Sequence, residues 1–389
     1  MPVINRIAEF EPELRAWRRH LHTIPELDFD LFDTAAFVAA RLREIGVDEI
    51  HEGIAKTGMV ALIRGRGAGP VVGLRADMDA LPIAEAVNRP WQSRRPGRMH
   101  ACGHDGHTAI LLGAARYLAE TRNFAGTVAL IFQPSEEMSG GGRVMVEEGM
   151  MDRFGIGRVY GLHNEPGRRL GEIGLCAGPL LAAADDFRLV LTGRGGHAAY
   201  PAMCVDPVPA ALAVGQALMA ITSRRADPVA PIVVSLTVLK AGEASNVIPE
   251  TAELAGTVRT LDEGTRAMAQ AAVAEIVEAI AAAYGVRAAL DYQLGYPVLM
   301  NDAAEAAFCA GVAVGVVGAA LVDDARQPEL GSEDFSYMLN ARPGAYVFVG
   351  AGEGAALHHP AYDYNDEVTP IGASYFVRLV EAALPLGGA

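Results

Sequence analysis

Potential metal ligands recur at the ends of apolar segments in this chain. They are Cys102 and His104 in MHACGHDGH, Glu136 and Glu137 in LIFQPSEE, His163 in VYGLHNEP and His358 in LHHP. Thiolate, imidazole and carboxylate groups bind divalent transition metals. A spare carboxylate beside such a metal can accept a proton from water. The set therefore predicts a hydrolase with one or two metals.

The two glutamates after the apolar run at 127–133 divide between two roles. Consecutive side chains cannot point the same way, so one carboxylate can coordinate while the other stays free. We assign Glu137 to the metal and Glu136 to the general base. An exposed acidic pair stabilised by the dipole of a following helix is the alternative that this motif alone leaves open.

The remaining donors have individual alternatives. Cys102 and His104 are two residues apart, which favours a turn that presents both side chains inward. Asp77 and Asp79 in RADMDALP suit the role of a carboxylate that orients a ligand and raises its basicity, but turn or capping chemistry also uses Asp. His163 alone could equally be a buried histidine bonded to backbone. Because all these donors occur together, a shared metal site is a better explanation than an unrelated structural role for each one.

The first half of the chain alternates between strand and helix patterns, as a parallel sheet with covering helices does. The predicted helices cover 2–22, 34–45 and 108–120, and the predicted strands cover 58–64, 71–75, 127–133 and 158–162. The aspartates, the glutamate pair and His163 all follow strand ends. In an open α/β sheet, ligands bind at that edge.

The pattern changes near Gly178. Alternating segments then predict strands at 186–192, 232–239, 251–260 and 287–294, with helices at 207–222 and 263–284. This order suits a small α+β domain with helices on one sheet face. After about Tyr296 the chain returns to the first domain, because His358 is needed there. We predict an α/β catalytic domain with a mostly parallel sheet, formed by 1–181 and 294–389, and an inserted α+β domain at 182–293.

Composition limits the class of protein. The 389 residues favour two domains, and with 51% apolar and 20% charged residues they indicate a folded α/β protein. A net charge of −15 argues against a nucleic-acid partner. No apolar run reaches the ~18 residues of a membrane span. The N-terminal segment lacks the apolar stretch of a signal peptide, and the four cysteines show no pairing pattern. We therefore expect a cytoplasmic protein.

A series of longer motifs resembles one known family. The motifs are RRHLHTIPELDF, LRADMDALPI, MHACGHDGHTA, IFQPSEE, GLHN, GRGGHAAYP, SNVIPETAELAGTVRT, GSEDFSYM and LHHPAYDYND. In order and nearly end to end, they resemble the M20 family of metallopeptidases and amidohydrolases. The similarity is to its branch of N-acyl-amino-acid amidohydrolases, which includes hippurate hydrolases and auxin-conjugate hydrolases. The resemblance implies a zinc-peptidase-like catalytic domain.

The resemblance also implies a ligand set. The implied ligands of a two-metal site are Cys102, His104, Glu137, His163 and His358, with Cys102 as the bridge between the metals. Glu136 would be the general base that later protonates the leaving amine. Two divalent ions per subunit are expected, and Zn, Mn, Co and Ni all suit these donors.

Two motifs depart from better-known relatives. They carry His-x-Asp where this chain has Asp77-Met78-Asp79, and an Asp where it has Cys102. Asp79 is therefore expected to act in catalysis only by orienting a ligand. Which of Asp77 and Asp79 has that role is left open.

In the inserted domain, the resemblance implies a dimerisation or lid function. His197 in GRGGHAAYP would polarise the scissile carbonyl, reaching into the site of a second subunit. Asn246 and Arg259 would bind the substrate carboxylate or the developing oxyanion. The residues alone favour plainer readings: a Gly-rich turn with an incidental histidine, and a charge at a strand edge.

The function expected is hydrolysis of the amide bond of N-acyl amino acids, as in hippurate or N-acetyl amino acids, by a homodimer or higher homo-oligomer. A dipeptidase or aminopeptidase of the same fold is the first alternative, but no carboxylate for a free α-amine is identified. A non-catalytic binding protein is the second, although such a protein needs neither Glu136 nor a full ligand set. The sequence does not identify the acyl group.

Overall fold

The computed structural model describes residues 3–387. Met1, Pro2, Gly388 and Ala389 lie outside the described residues, so the first residue of the helix predicted at 2–22 and the outer ends of the predicted catalytic domain are not covered.

The helices and strands are numbered in chain order. The helices are α1 (Asn5–Thr23), α2 (Phe32–Ile45), α3 (His104–Thr121), α4 (Gly141–Glu147), α5 (Met150–Arg153), α6 (Pro207–Met219), α7 (Ile221–Arg224), α8 (Glu263–Tyr284), α9 (Ala303–Val317), α10 (Ser336–Ala341) and α11 (Val368–Ala383). The strands are β1 (Glu49–Ile54), β2 (Gly58–Arg64), β3 (Val71–Asp77), β4 (Thr127–Gln133), β5 (Ile156–Glu165), β6 (Ile173–Gly174), β7 (Gly178–Leu181), β8 (Ala183–Thr192), β9 (Gly196–His197), β10 (Ile232–Ala241), β11 (Val247–Ile248), β12 (Thr251–Thr260), β13 (Arg287–Leu294), β14 (Leu299–Asn301), β15 (Val322–Asp323) and β16 (Gly344–Gly350).

Contacts divide the chain into two compact units. The first extends to Leu180 and includes Met300–Gln327 and the chain from Asp334 onward. The second contains Leu181–Leu299 and Pro328–Glu333. The assignment of 182–293 as an inserted dimerisation domain stays a prediction.

The first unit is built on an eight-stranded sheet in the order β1-β2-β4-β3-β5-β16-β6-β15. Its central pairs, β4–β3, β3–β5 and β5–β16, are parallel. The central strands are continuous apolar runs such as TVALIFQ and GAYVFVG, and nearly every residue in them is buried. A strand buried on both faces requires such a run, and helices α1, α3 and α11 pack together in the same apolar core. The predicted α/β class with a mostly parallel central sheet is confirmed.

The second unit has a different sheet, in the order β10-β12-β8-β13, in which every pair is antiparallel. In β8 buried and less buried residues alternate, as expected for a sheet with one covered face. Helices α6 and α8 cover that face and contribute to a separate apolar core.

Two predicted element boundaries near the candidate site are wrong. Helix α3 begins at His104 rather than at 108, because Gly103 adopts φ 96° and its carbonyl accepts hydrogen bonds from the backbone N–H groups of Gly106 and His107. Strand β5 continues to Glu165, since it pairs along its length with β16, so His163 lies inside the strand rather than after it.

Among residues 3–387, one helix, α8, has the length and apolar composition that a membrane span requires. Its inner face, with Ala272, Val273 and Val277, belongs to the apolar core of the second unit. A core helix of a folded domain meets the same two criteria, so the length and composition of α8 do not show that it spans a membrane.

Candidate metal centre

The first unit brings the predicted donors together. The donor atoms form overlapping groups, in each of which all atoms lie within 4.8 Å of one another. The groups are Cys102, His104 and His163; Cys102, Glu137 and His358; and His104, Glu136 and Glu137. Because each group shares a member with another, the six residues make one cluster at the carboxyl edge of the sheet. Their role as ligands stays a prediction.

His163 presents one ring nitrogen to the cluster. Its Nδ1 lies 2.7 Å from the backbone oxygen of Asn164, and its Nε2 lies 3.3 Å from the Sγ of Cys102. Burial and the neighbouring His107 hold the pKa of His163 well below its ordinary value. A neutral ring that donates from Nδ1 has its lone pair on Nε2, which is the form that binds a metal.

His104 is oriented by Asp79. The Nδ1 of His104 lies 3.3 Å from Oδ1 of Asp79, while Oδ2 of Asp79 accepts a hydrogen bond of 3.0 Å from the backbone N–H of Glu137. One buried carboxylate thus contacts two of the predicted ligands. Among the described residues, the buried Nε2 of His104 has no hydrogen-bond partner, and the buried Oε1 of Glu137 has only an ion-pair contact with His358. These two atoms, 3.8 Å apart, face the cluster and fit a cation.

His358 differs from the other donors. Its side chain is half exposed, and its Nε2 lies 3.3 Å from Oε1 of Glu137. Its backbone adopts φ 62°, a conformation uncommon for residues other than glycine. The backbone N–H donates to the carbonyl of Ala101 at 2.8 Å. The loop of His358 is therefore bonded directly to the turn that contains Cys102.

The turn that carries both glutamates is held by a neighbouring loop. Ser135 is buried with φ 53°, and its hydroxyl lies 2.5 Å from Oδ1 of Asp28. The same hydroxyl accepts a hydrogen bond from the N–H of Ser139 at 3.1 Å. Glu136 directly follows this fixed residue and is itself buried. The hydrogen bonds of Ser135 therefore fix the backbone from which the side chain of Glu136 extends.

The electrostatics of the cluster suit a cation. Burial would lower the pKa of His104, but the carboxylates of Asp77 and Asp79 outweigh it and raise that pKa to about 10. Burial, with the charges of Glu137 and Glu136, raises the pKa of the Cys102 thiol well above its ordinary value. A divalent cation reverses the second effect, because a coordinated thiol loses its proton.

Asp77 and Asp79 have different surroundings. Asp77 is fully buried, and its carboxylate is bonded to Arg75 at 2.7 Å and to the Nδ1 of His107 at 2.6 Å. Burial would raise the pKa of Asp77, but the charges of His104, Arg75 and His107 hold it well below its ordinary value. The contacts of Asp79 with His104 and Glu137 therefore match the orienting role more directly.

Arg75 and Asp77 belong to a buried network that joins strand ends. Arg75 also bonds to Asp334 at 3.0 Å and to Gln133 at 2.9 Å. Asp334 accepts hydrogen bonds from the Gln133 amide and from the N–H of Gly142, each at 2.7 Å. The network connects the ends of β3 and β4, where the aspartates and glutamates leave the sheet. Because Arg75 and Asp334 are far apart in sequence, residue spacing alone could not predict the pair.

A second buried group lies at the start of α3. Asp105 follows His104 and lies 2.8 Å from the Nδ1 of His22 and 3.6 Å from the guanidinium of Arg18. Arg18 also donates to Asp366 at 2.7 Å. No role was predicted for these residues from their types, although RRHLHTIPEL contains two of them.

The predicted substrate residues lie in the second unit. His197 is exposed on β9 and pairs with Val247 on β11. Asn246, also exposed, precedes β11, and its carbonyl accepts a hydrogen bond of 3.1 Å from the N–H of Ala198. Arg259 lies on β12, where its guanidinium bonds to Thr257 and, at 3.2 Å, to the carbonyl of the adjacent residue. His197 and Asn246 are thus neighbours in one small ribbon.

The chain is similar to known peptidases and amidohydrolases. The model of peptidase family M20/M25/M40 matches residues 73–382. A hippurate hydrolase of Campylobacter jejuni is 38% identical, over 97% of this chain and 98% of its own length. An N-acetyl-L-cysteine deacetylase of Bacillus subtilis is 40% identical, over 95% of this chain and 88% of its own length.

Solved structures agree with these relatives. A putative aminohydrolase from methicillin-resistant Staphylococcus aureus is 31% identical with a TM-score of 0.91, covering 98% of this chain and 99% of its own. A Bacillus subtilis protein called a dinuclear metal binding peptidase from the M20 family is 35% identical with a TM-score of 0.85, covering 97% and 99%.

Proposed function

This chain belongs to peptidase family M20/M25/M40 and is a metal-dependent amidohydrolase, and we propose that it hydrolyses the amide bond of N-acyl amino acids. The products are a carboxylic acid and a free amino acid. The proposal is supported by similarity to a hippurate hydrolase and to an N-acetyl-L-cysteine deacetylase, each near 40% identity.

The single observation that carries the proposal is the position of Glu136. Its carboxylate lies within 4.8 Å of the donor atoms of His104 and Glu137, and the Nε2 of His104 has no hydrogen-bond partner among the described residues. A general base must reach the water that it deprotonates by a hydrogen bond, and a carboxylate beside the predicted ligands can reach water bound between them. A binding protein would have no use for such a carboxylate.

We propose that two divalent ions bind to the cluster formed by Cys102, His104, Glu137, His163 and His358. Metals held by these donors would lower the pKa of a coordinated water and polarise a carbonyl oxygen. The relative with a dinuclear metal-binding name supports two ions, and the donor types admit Zn, Mn, Co or Ni. Asp79 orients His104 and Glu137 through its two oxygens.

The chain's own groups move the proton. Glu136 accepts it from the attacking water and returns it to the amide nitrogen as the carbon–nitrogen bond breaks. We propose that His197 and Asn246 donate hydrogen bonds to the developing oxyanion. The guanidinium of Arg259 suits the free carboxylate of the amino-acid half, since it can bind a carboxylate through two parallel hydrogen bonds.

We also propose that the protein forms a homodimer through the second unit. The outer face of α6 carries Leu212 and Met219, which are 58% and 51% exposed. Tyr200 and Met203, in the segment before α6, are exposed as well. Adjacent exposed apolar side chains mark interaction surfaces. A cytoplasmic location remains a prediction.

The test is release of free amino acid from a substrate panel. The panel contains hippurate, N-acetyl-Met, N-acetyl-diaminopimelate, indoleacetyl-Ala and simple dipeptides. Metal-stripped protein is assayed beside protein resupplied with Zn, Mn or Co. We expect metal-restored cleavage of one acyl class.

Cleavage of dipeptides alone would replace the amidohydrolase proposal with a peptidase function. No cleavage of any compound under any metal would contradict an enzymatic role for the cluster and favour a binding protein.

A further inference from the structure

The side chain of Asn164 contacts three segments that carry predicted ligands. It follows His163 on β5 and is fully buried. Its Nδ2 donates to the hydroxyl of Tyr362 at 2.8 Å, and its Oδ1 lies 2.7 Å from Nε2 of His107. Tyr362 lies four residues after His358. His107 lies one turn after His104 in α3. The contact with Tyr362 therefore connects Asn164 to the loop of His358, and the contact with His107 connects it to the helix of His104.

The third segment is the turn between Cys102 and His104. A Cβ atom added to Gly103 would lie 2.2 Å from Oδ1 of Asn164 and 2.8 Å from the hydroxyl of Tyr362. Only glycine permits this approach, and its φ of 96° also favours glycine. The backbone of the ligand turn therefore rests directly on the Asn164–Tyr362 pair.

The backbone of Asn164 also contacts a ligand. Its carbonyl lies 2.7 Å from Nδ1 of His163, which leaves Nε2 of that ring facing Cys102. The backbone carbonyl of Asn164 and its side-chain amide belong to one residue, so their positions depend on each other. A shift of Asn164 would rotate His163 and release the Cys102 turn at the same time.

The contacts continue behind the cluster. His107 connects Asn164 to Asp77, and Asp77 connects to Arg75. The result is a buried hydrogen-bonded chain from Arg75 to Tyr362 that contains no predicted ligand. Such partners of ligating residues fix ring orientation and commonly change metal affinity about 10- to 100-fold when they are lost.

We propose that Asn164 is the positioning residue that sets the relative placement of Cys102, His104 and His163, with Tyr362 as its support. The inference rests on the proposed metal centre. The side-chain amide of Asn164 would affect metal affinity and geometry and not the chemical step, because Glu136 and not Asn164 lies among the donor atoms of the cluster.

The test uses Asn164→Leu, which keeps a similar volume and removes both polar atoms. The full-length protein is loaded with Co, and affinity is measured by competition with a chelator. The thiolate-to-cobalt absorption band reports the Cys102–metal geometry independently of activity. We expect affinity to fall about 10- to 100-fold and the band to shift or weaken.

A matched control is Asn301→Leu. Asn301 is equally buried and makes three hydrogen bonds, to the carbonyls of Cys176 and Tyr346 and to the N–H of Tyr346, none of which involves a predicted ligand. We expect this variant to lower the melting temperature while its cobalt affinity and absorption band stay those of the wild type.

Tyr362→Phe removes one oxygen and tests the same chain if Asn164→Leu does not fold. It should reduce cobalt affinity less than Asn164→Leu, and the double variant should lose no more than Asn164→Leu alone, because the two groups act as one unit. Wild-type affinity and spectrum in both folded variants would overturn the proposed role of Asn164. A wild-type protein that binds no cobalt would instead contradict the proposed metal centre.

Discussion

The candidate metal cluster and the candidate substrate residues are held in very different ways. In the first unit, His104 and Cys102 are buried, and each predicted ligand has a buried hydrogen-bonding or ionic neighbour, although His358 itself is half exposed. In the second unit, His197 and Asn246 are exposed on a two-stranded ribbon. The cluster is thus part of the core of its unit, and the substrate residues are not part of the core of theirs.

This difference indicates what fixes the side-chain positions in each region. Buried polar groups must be paired, so the carboxylates and imidazoles around the cluster fix one another in place. The exposed side chains have fewer such constraints: the ring of His197 accepts a hydrogen bond from the N–H of Ala199 at 3.1 Å. Substitutions of the predicted ligands should therefore change metal binding and stability, and substitutions of His197 or Asn246 should change catalysis while stability stays nearly constant.

The largest effect is expected from Glu136→Gln. The amide keeps the shape of the side chain but cannot accept a proton from water. We expect kcat to fall about 10²- to 10⁴-fold, with unchanged metal content by elemental analysis and an unchanged melting temperature.

Two results would weaken the assignment. Retention of substantial turnover would remove Glu136 from the role of base. Loss of metal along with activity would show that Glu136 belongs to the buried ligand framework instead.

Much of the fold could be predicted because local pattern and tertiary structure agree. β2, β4, β12, β13 and α8 begin and end at the predicted residues. β12 and β13 alternate, α8 has a long helical period, and β2 and β4 are apolar runs of seven residues that suit strands better than helices. The sequence predicted no strand at 344–350, because a short continuous apolar run does not distinguish a strand from a buried helix. That run became β16, and its pairing with β5 placed His163 inside a strand.

The donors of the cluster could be predicted from their types, whereas their supports could not. Thiolate, imidazole and paired glutamates are uncommon enough together to indicate a metal. Asn164, Tyr362 and Asp105 are ordinary core or turn residues by type. Their importance comes from long-range contacts, such as the one between Asn164 and Tyr362, which no local spacing encodes.

The second largest effect concerns the pH dependence of stability. Burial would lower the pKa of His22, but the carboxylate of Asp105 raises it to about 9. The folded protein thus keeps a proton that the unfolded chain loses near pH 6.5. The resulting stabilisation is complete below pH 6.5 and is lost as the pH rises through 9. With about 1.4 kcal/mol per unit of pKa difference, the loss reaches about 3 kcal/mol.

Urea unfolding of the metal-loaded protein between pH 6 and 10 measures this slope. His22→Gln should reduce it. His20→Gln, on the same helix, is the matched control: burial lowers the pKa of His20, so this residue contributes no stabilisation that is lost as the pH rises towards 9. Equal slopes in all three proteins would show that the His22–Asp105 pair does not contribute.

A smaller effect is expected from Arg259→Ala in the second unit. If the guanidinium binds the substrate carboxylate, its loss removes charge-assisted hydrogen bonds and should raise KM about 10- to 100-fold with a smaller change in kcat. Arg188→Ala is the matched control, since Arg188 lies on neighbouring β8, is exposed and pairs with Glu253. A KM for Arg259→Ala equal to that of the control would separate Arg259 from substrate binding.

The smallest effect is the stability change of His197→Ala. His197 is exposed, and the pairing of β9 with β11 uses its backbone rather than its ring. The free energy of unfolding should therefore change by no more than about 0.5 kcal/mol, while kcat falls about 10²- to 10³-fold if the ring stabilises the oxyanion. Urea unfolding and steady-state kinetics on one preparation measure both quantities. A large loss of stability would contradict the contrast between the two regions, because it would place His197 in a packed framework like that of the cluster.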